Sequence, residues 1–313
     1  MKKLTDTPIL KKSNLRMRIL VTGSNGLLGQ KLTHLLQKDD HVYLIATARG
    51  KSAITIARGE YHSLDISDKE KVESILRLTK SDVIINTAAM TQVDDCETQR
   101  DACWKANVTS VENLVRCCEA LHIHLVHVST DFIFDGTHGP LDESEEPRPV
   151  NFYGESKLAA EKVILKSSAS WTILRTVLVF GITHDMSRSN IVLWVKNSLE
   201  QKKIIQVVND QWRTPTLAED LAQGCYLASK NRAKGIYNIS GKDFLSPYDI
   251  AIKTAEFFKL DPSLIKPTDS NQFKQPAKRP LTTGFIIEKA RKELGYEPHS
   301  FEEGLEILSK QIS

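Results

Sequence analysis

The sequence lacks the features that would place it outside the ordinary globular proteins. No apolar run among its 313 residues is long enough to span a bilayer. No low-complexity segment and no repeat of solenoid length occurs. The formal net charge is only +3, which argues against a nucleic-acid or membrane-surface partner. We therefore expect neither nucleic acid nor a membrane among its partners.

Cysteine is scarce and shows no binding pattern. The five cysteines include no CxxC pair and no Cys/His finger spacing. This excludes a disulfide framework and a zinc finger, and it predicts reduced thiols in a cytoplasmic protein. Residues 1–16 lack the apolar segment and cleavage site of a signal peptide, so we expect a disordered extension ahead of Met17.

The chain instead alternates short apolar segments with amphipathic ones. Because apolar strands separated by helices form parallel sheets with both faces covered, the alternation predicts an α/β fold with a Rossmann-like, doubly wound parallel sheet. The expected strands are 17–23, 41–49, 82–89, 123–131 and 171–181, and the expected helices are 26–37, 68–79, 101–122 and 153–166.

A glycine-rich turn joins the first strand to the first helix. Gly23, Gly26 and Gly29 have the spacing GxxGxxG. The first allows a tight turn, the second lets backbone approach a pyrophosphate, and the third lets the helix pack closely on the strand. The pattern predicts a bound dinucleotide. The other cofactor-binding residues expected in this turn are Asn25, Leu27 and Leu28.

The segment after the second strand favours NADP. NAD sites usually place an acid there for the ribose hydroxyls. No acid occurs from residue 46 to residue 52, whereas Arg49 and Lys51 are placed to meet a 2′-phosphate. We expect NADPH, with NADH possible; the alternative is that both cations are simply solvated. The further residues expected against the cofactor are Asp65, Ile66, Thr87, Ala88 and Ala89.

Two interleaved lobes are expected. Residues 17–182 and 203–241 would form the NADP-binding Rossmann domain, because 235–241 reads as a strand that returns to the main sheet. Residues 183–202 and 242–313 would form a smaller C-terminal lobe that binds the substrate.

The spacing Tyr-x-x-x-Lys occurs twice, and position separates the two copies. Tyr153 and Lys157 follow a strand that ends in the sequence STD, and ligands bind beyond the carboxyl ends of parallel strands. The two side chains share a helix face, where the ammonium would lower the phenol pKa. Tyr226 and Lys230 lie in an amphipathic helix, where we expect core packing and a solvated lysine.

These motifs, in this order, resemble the extended short-chain dehydrogenases/reductases and, among them, the dTDP-4-dehydrorhamnose reductase family. The segments STDFIFDG, NDQWRTPT and PAKRP carry the narrower resemblance, which extends from Met17 to about Gly295. It implies NADPH-dependent reduction of a 4-keto nucleotide sugar, with dTDP-4-dehydrorhamnose as the first candidate.

The resemblance also implies a role for each site residue. Tyr153 would donate a proton to the ketone oxygen, and Lys157 would bond the nicotinamide ribose. Thr130, with Ser129 as the competing candidate, would orient the carbonyl. Loop arginines would grip the substrate diphosphate, unless they are merely exposed cations. The residues expected to bind substrate are Thr91, Asp131, Arg213 and Arg279.

Two departures from the family pattern bear on this interpretation. The family typically has a sugar-contacting tryptophan where this chain has Val177 and Leu178, so the pocket could be wider or accept another sugar. Near Lys31 the family can have a glutamate that serves a magnesium-linked dimer. We therefore expect no metal, although a homodimer remains possible.

Other interpretations stay open. On a strand, His122 and His124 would share a face with His127 opposite, which disfavours a joint metal site. A non-catalytic NADP-binding regulatory subunit, like the beta subunit of methionine adenosyltransferase, is the main alternative function. A nucleotide-sugar epimerase or dehydratase is another, against which STDFIFDG and PAKRP argue.

Overall fold

The structure, a computed structural model, describes residues 16–183, 190–272 and 275–312. Apart from Arg16, the extension expected at 1–16 lies outside them. The central strands are β1 Met17–Thr22, β2 Val42–Ala48, β3 Glu60–Ser63, β4 Val83–Asn86, β5 His124–Thr130 and β6 Trp171–Thr176. The later strands are β7 Val179–Phe180, β8 Ile205–Val208, β9 Thr216–Leu217, β10 Gly235–Asn238 and β11 Ile265–Thr268.

The large sheet has seven strands in the order β10-β6-β5-β4-β1-β2-β3. Every neighbouring pair is parallel. The order reverses between β1 and β4, which is where open α/β sheets bind ligands. The Rossmann-like fold predicted from the alternation of strands and helices is confirmed.

The helices of the described chain lie on both faces of the large sheet and in a smaller layer beside it. They are α1 Leu27–Leu36, α2 Lys69–Thr79, α3 Val93–Thr98, α4 Arg100–Trp104, α5 Ser110–Leu121, α6 Phe152–Leu165, α7 Ile191–Glu200, α8 Ala218–Lys230, α9 Pro247–Phe257, α10 Glu288–Leu294 and α11 Phe301–Ile312. The single helix predicted at 101–122 is instead α4, a π-helical turn Lys105–Thr109 and α5. Within the described part of the chain, no helix is both long and apolar enough to cross a membrane.

The core lies on both faces of the sheet. On β1, Ile19 and Val21 pack with α1, α8 and α10, whereas Leu20 packs on the opposite face with α2, α5 and α6. All three side chains are fully buried. Because alternate strand residues point to opposite faces, burial of both faces requires the continuous apolar runs seen in the sequence. All five cysteines are free and buried, as expected.

A smaller layer lies beside the large sheet. β8 pairs with β11, and both pack with α7 and α9 around a separate apolar cluster. Residues 205–208, which the sequence pattern placed with the large sheet, therefore belong to this layer, whereas β10 lies in the large sheet. The strand predicted at 171–181 breaks into β6 and β7, because Leu178 adopts φ +37°.

Candidate active site

The turn after β1 folds back tightly. Gly23 has φ +68°, and a Cβ added there would lie 3.0 Å from the backbone of Ala88. A Cβ at Gly29 would lie 2.2 Å from the carbonyl oxygen of Gly23, so only glycine lets α1 pack this close. A Cβ at Gly26 would meet only that carbonyl, at 3.3 Å. The outer side of Gly26 is therefore open to a ligand.

The same turn has the donors that a dinucleotide diphosphate requires. Gly26 is the exposed N-cap of α1, and no side chain caps the first N–H groups of that helix. The hydroxyl of Ser24 is buried without a hydrogen-bond partner among the described residues. Leu27 and Leu28 are half-buried beside it. These residues fit a dinucleotide whose diphosphate lies at the helix N-terminus.

The loop after β2 presents two exposed cations, Arg49 and Lys51. Asn25 fastens this loop to the glycine turn: its Nδ2 donates to the carbonyl of Lys51 (2.8 Å), and its Oδ1 accepts from the N–H of Ala53 (2.9 Å). Asp65 lies close enough to Arg49 for the positive charge of Arg49 to act on the pKa of its carboxyl group. Burial raises the pKa of Asp65, but hydrogen bonds and that charge give a net decrease.

The loop after β4 lies against the glycine turn. The hydroxyl of Thr87 donates to the carbonyl of Thr22 (2.6 Å), and the N–H of Ala88 donates to the Thr22 hydroxyl (3.3 Å). Ala89 follows and is half-buried, whereas Ile66 is buried in the core on the α2 and α5 face. The glycine turn and the loops after β2 and β4 thus meet at the carboxyl edge of the sheet.

A buried asparagine ties the β4 loop to α6. Asn107 accepts from the N–H of Met90 (2.8 Å) and donates to the carbonyl of the same residue (3.0 Å). It also donates to the hydroxyl of Ser156 (2.9 Å), which donates to the carbonyl of Tyr153 (2.7 Å). Asn107 lies in the π-helical turn, a distortion common at functional sites. The sequence pattern missed it, because this segment has the spacing of one regular helix.

The structure brings the three predicted catalytic residues together. Asn151 caps α6 by accepting from the N–H of Gly154 (2.9 Å), which sets Tyr153 in the first helical turn. Tyr153 is 8% exposed, and its phenol lies close enough to the hydroxyl of Thr130 at the end of β5 for that hydroxyl to oppose the rise of the phenol pKa. Lys157 follows one helical turn later and is 3% exposed.

The nitrogen of Lys157 contacts two residues of β5. It donates to the carbonyl of Val128 (2.7 Å) and lies 3.3 Å from Nε2 of His127. Burial lowers the pKa of Lys157 to about 8, against the opposing charge of Glu161. Burial raises the pKa of Tyr153, and Lys157 is not among the main influences on it. The expected lowering of the phenol pKa is therefore wrong for this arrangement, because desolvation of the phenolate dominates.

Two of the predicted substrate residues are buried beneath the site. Asp131 accepts from the hydroxyls of Thr130 (3.1 Å) and Thr283 (2.6 Å), and Nε of Arg213 lies 3.5 Å away. Arg213 is 4% exposed and donates to three backbone carbonyls. Burial raises the pKa of Asp131 against the opposing charge of Arg213. Arg213 is therefore not an exposed loop cation. It is buried, and its hydrogen bonds link separate segments of the chain.

The other two predicted substrate residues lie nearer to solvent. Arg279 forms a bidentate ion pair with Asp94, at 2.7 Å for both contacts. Asp94 also accepts from the N–H of Ala277 (3.1 Å), which fastens this segment to α3. Thr91 is exposed in the loop before α3. A ligand that uses Arg279 must share it with Asp94.

The second Tyr/Lys pair has no contact with these residues. The hydroxyl of Tyr226 donates to Asp39, and Nζ of Lys230 lies 5.7 Å from the centre of the Tyr226 ring. Tyr226 packs against the core on the α1 side of the sheet. This is the packing role expected from its amphipathic helix.

The histidine segment is only partly as expected. His122 is not on a strand: it ends α5 with φ +55°. His124 and His127 are buried on β5, and the sequence pattern gave no sign that His127 touches Lys157.

Known proteins similar to this chain include reductases and a methionine adenosyltransferase subunit. The chain is 29% identical over 299 residues to a probable low-salt glycan biosynthesis reductase of Haloferax volcanii, covering 95% of this chain and 99% of that protein. It is 31% identical over 283 residues to a dTDP-4-keto-6-deoxy-D-glucose reductase of Streptomyces niveus, covering 90% and 92%. It is 30% identical over 256 residues to methionine adenosyltransferase 2 subunit beta of Xenopus laevis, covering 80% and 75%.

Solved structures agree with the reductases. A dTDP-4-dehydrorhamnose reductase of Clostridium acetobutylicum matches with a TM-score of 0.84 at 28% identity, covering 95% of this chain and 99% of that one. A dTDP-4-dehydrorhamnose reductase of Bacillus anthracis in complex with NADP matches with a TM-score of 0.82 at 25% identity, covering 95% and 100%.

The Rossmann-like sheet and the similarity to reductases, one of them solved with NADP, define an oxidoreductase that uses a nicotinamide dinucleotide. The RmlD substrate binding domain model matches residues 17–313, and the chain belongs to this family. It is an NAD(P)H-dependent oxidoreductase of the nucleotide-sugar reductase type.

Proposed function

We propose that the chain reduces the C4 ketone of a dTDP-linked sugar, with dTDP-4-dehydrorhamnose as the first candidate and NADPH as the hydride donor. The observation that carries this proposal is the buried phenol of Tyr153 beside the hydroxyl of Thr130, at the same edge of the sheet as the glycine turn. The relatives named as dTDP-sugar reductases support the sugar nucleotide. The exposed Arg49 and Lys51 support NADPH.

Each site residue has a separate role in the proposed reduction. When bound, the reduced nicotinamide supplies a hydride to the carbonyl carbon. Tyr153 donates its phenolic proton to the ketone oxygen, so that the ketone becomes an alcohol and the phenol a phenolate. Burial raises the pKa of Tyr153, which keeps the phenol protonated until that step. Thr130 orients the carbonyl, and Lys157 holds the cofactor ribose beside the phenol.

The sugar nucleotide is proposed to lie between the carboxyl edge of the large sheet and the smaller layer formed by α7, α9, β8 and β11. Arg279 is placed for the diphosphate, where it exchanges part of its contact with Asp94 for phosphate oxygens. Arg213 acts from beneath, through Asp131. Thr91 and Asp131 complete the proposed substrate contacts.

The test follows NADPH oxidation with dTDP-4-dehydrorhamnose and a panel of other 4-keto sugar nucleotides. We expect turnover of at least one. Tyr153→Phe should lose at least about a thousandfold in kcat while its affinity for NADPH stays within about threefold, since only the proton donor is removed. Full activity in that variant would remove Tyr153 from the mechanism.

A non-catalytic regulatory subunit is the second candidate, supported by the 30% identity to methionine adenosyltransferase 2 subunit beta. It predicts NADPH binding without turnover of any keto sugar, together with stable complex formation with a methionine adenosyltransferase catalytic subunit. Size-exclusion chromatography of the mixture, run beside the turnover assay, separates the two functions. Turnover without a complex would exclude this candidate.

A further inference from the structure

A hydrogen-bonded series of buried side chains crosses the carboxyl end of the sheet and ends at Lys157. Thr22 on β1 donates to Oδ1 of Asn86 on β4 (2.6 Å). Nδ2 of Asn86 lies 3.0 Å from Nδ1 of His127 on β5, and Nε2 of His127 lies 3.3 Å from Nζ of Lys157. None of the four is more than 3% exposed. Buried polar groups of this kind are tolerated only when each is paired, as these are.

The backbone sets the direction of hydrogen bonding along this series. The Thr22 hydroxyl accepts from the N–H of Ala88 (3.3 Å), which leaves its own hydrogen for the amide oxygen of Asn86. The amide nitrogen of Asn86 then faces His127 and donates to Nδ1. Burial, and then the charge of Lys157, keeps the pKa of His127 well below its ordinary value, so the imidazole is neutral. Its single proton therefore lies on Nε2 and points at Lys157.

Two of the three free directions around the lysine nitrogen are thus occupied. Below its pKa of about 8 the nitrogen is an ammonium without a lone pair; in the amine form above that pH it donates to the carbonyl of Val128 (2.7 Å) and accepts from Nε2–H of His127 (3.3 Å). One direction, with one hydrogen, remains. We propose that His127 is a positioning residue, whose Nε2 holds the nitrogen of Lys157 so that its remaining N–H meets the ligands of the Tyr153 site. This inference rests on the proposed function, because it assumes that Lys157 serves the reaction there.

The other titratable groups around Lys157 are engaged elsewhere. Glu161, one turn further along α6, is held by Arg175 through contacts of 3.2 and 2.8 Å. Cys103, which approaches from α4, donates to the hydroxyl of Ser156 (3.4 Å). The phenol of Tyr153 is buried beside Thr130, and Lys157 is not among the main influences on its pKa. Among the described residues, His127 is therefore the titratable side chain that lies within hydrogen-bond reach of this nitrogen, at 3.3 Å.

His127→Gln tests the proposal, with His124→Gln as the matched control. The amide of a glutamine can turn its oxygen toward an ammonium, whereas the imidazole presents an N–H. We therefore expect the titration midpoint of Lys157 in His127→Gln to rise by about one pH unit. His124 is also buried on β5 and bonds the hydroxyls of Ser170 (2.8 Å) and Thr172 (3.0 Å). Its replacement should lower stability but leave the Lys157 titration unchanged.

The measurement is an NMR titration of the protein with isotope-labelled lysine, which needs no sugar substrate. The midpoint is compared among wild type and the two variants, and the pH profile of kcat/KM should shift in the same direction. A Lys157 midpoint in His127→Gln equal to that of wild type and His124→Gln would overturn the proposal, since a purely structural histidine behaves in that way.

A second variant keeps the proposal testable if His127→Gln does not fold. His127→Asn keeps a polar group near Asn86 but does not reach Lys157, so the same upward shift is expected. If wild type turns over no keto sugar nucleotide, the proposed function fails, whereas the NMR titration still decides whether His127 holds Lys157. The two failures are thus distinguishable.

Discussion

Lys157 is a residue whose burial costs stability. Because its pKa in the folded chain is about 8, the unfolded chain, with a lysine pKa near ~10.4, binds more protons between those two values. Stability should therefore rise with pH across that window, and the full cost is present below it. The cost is on the order of 2–3 kcal/mol, partly offset by the hydrogen bond to Val128.

Lys157→Met should lose activity without losing stability. Methionine has a similar length and carries no charge, so the unfolding free energy at pH 7 should equal or exceed that of wild type. Its rise from pH 8 to pH 10 should also be smaller. Urea unfolding at both pH values checks this, with the exposed Lys162→Met on the same helix as the control. A loss of more than about 2 kcal/mol in Lys157→Met would contradict the expectation.

Arg49 should set the preference for NADPH over NADH. Arg49→Ala removes a cation placed for the 2′-phosphate, so NADPH affinity should fall about tenfold while NADH affinity stays constant. Fluorescence titration with both cofactors measures the ratio. Arg58→Ala, which removes a cation already engaged by Asp40, should leave the ratio unchanged. If the ratio in Arg49→Ala equals that of wild type, the preference has another source.

At the scale of secondary-structure elements, α1 begins with two glycines that have different duties. Gly29 lies where the helix touches the turn before it, and no side chain fits there. Gly26 lies on the outer surface of the same turn, where an added methyl group would meet only the carbonyl oxygen of Gly23, at 3.3 Å. Gly29 therefore serves the packing of α1, whereas Gly26, three residues earlier, is available for ligand binding.

Gly29→Ala and Gly26→Ala should consequently fail in different ways. Gly29→Ala should lower the unfolding free energy by about 3 kcal/mol or more, because the added methyl overlaps backbone. Gly26→Ala should cost about 1 kcal/mol at most and still abolish measurable NADPH binding. Thermal unfolding and fluorescence titration of both variants check this. Normal NADPH affinity in Gly26→Ala would place the diphosphate elsewhere.

The sequence predicts elements well where periodicity is long and poorly where geometry changes within one pattern. The large-sheet strands and α1, α2 and α6 follow from apolar spacing. The π-helical turn before α5 and the break at Leu178 do not, because neither changes the order of apolar and polar residues. β8 and β11 are short and pair across a long stretch of chain, so their partnership is not visible locally.

At the scale of the whole molecule, residues 275–283 form a strap that fastens distant segments to the site. Asp94 and Asn151 hold the first part of the strap through Ala277, Arg279 and the carbonyl of Lys278. Thr283 at its end donates to Asp131, which accepts from Thr130. The position of the Thr130 hydroxyl, which we propose orients the carbonyl, therefore depends on a segment far away in the chain.

Thr283→Val should weaken both stability and catalysis. It removes a donor from a buried carboxylate, which should cost about 1–3 kcal/mol, and kcat should fall because Thr130 loses part of its support. Thr282→Val, at a half-buried neighbour whose N–H donates to Gly136, is the matched control. Urea unfolding and turnover are measured for both. If kcat is the same in Thr283→Val and Thr282→Val, the strap does not contribute to catalysis.

Site residues could be predicted from the sequence where they belong to a short local motif. Gly23, Tyr153 and Lys157 belong to short motifs with a stated chemistry. Asn107 and His127 do not, since each acts through partners that meet it only in the folded sheet. Arg213 is a residue for which the sequence pattern predicted the wrong environment. Its place in a loop suggested a phosphate ligand, but in the structure it is buried and donates to carbonyls of the strap.

The bond between Thr283 and Asp131 also has a consequence for synthesis on the ribosome. It joins residues 152 positions apart, and such long-range contacts form late in folding. The dinucleotide turn, Tyr153 and Lys157 all emerge well before Thr283. A nascent chain is therefore expected to acquire its dinucleotide-binding surface before it can carry out the reaction.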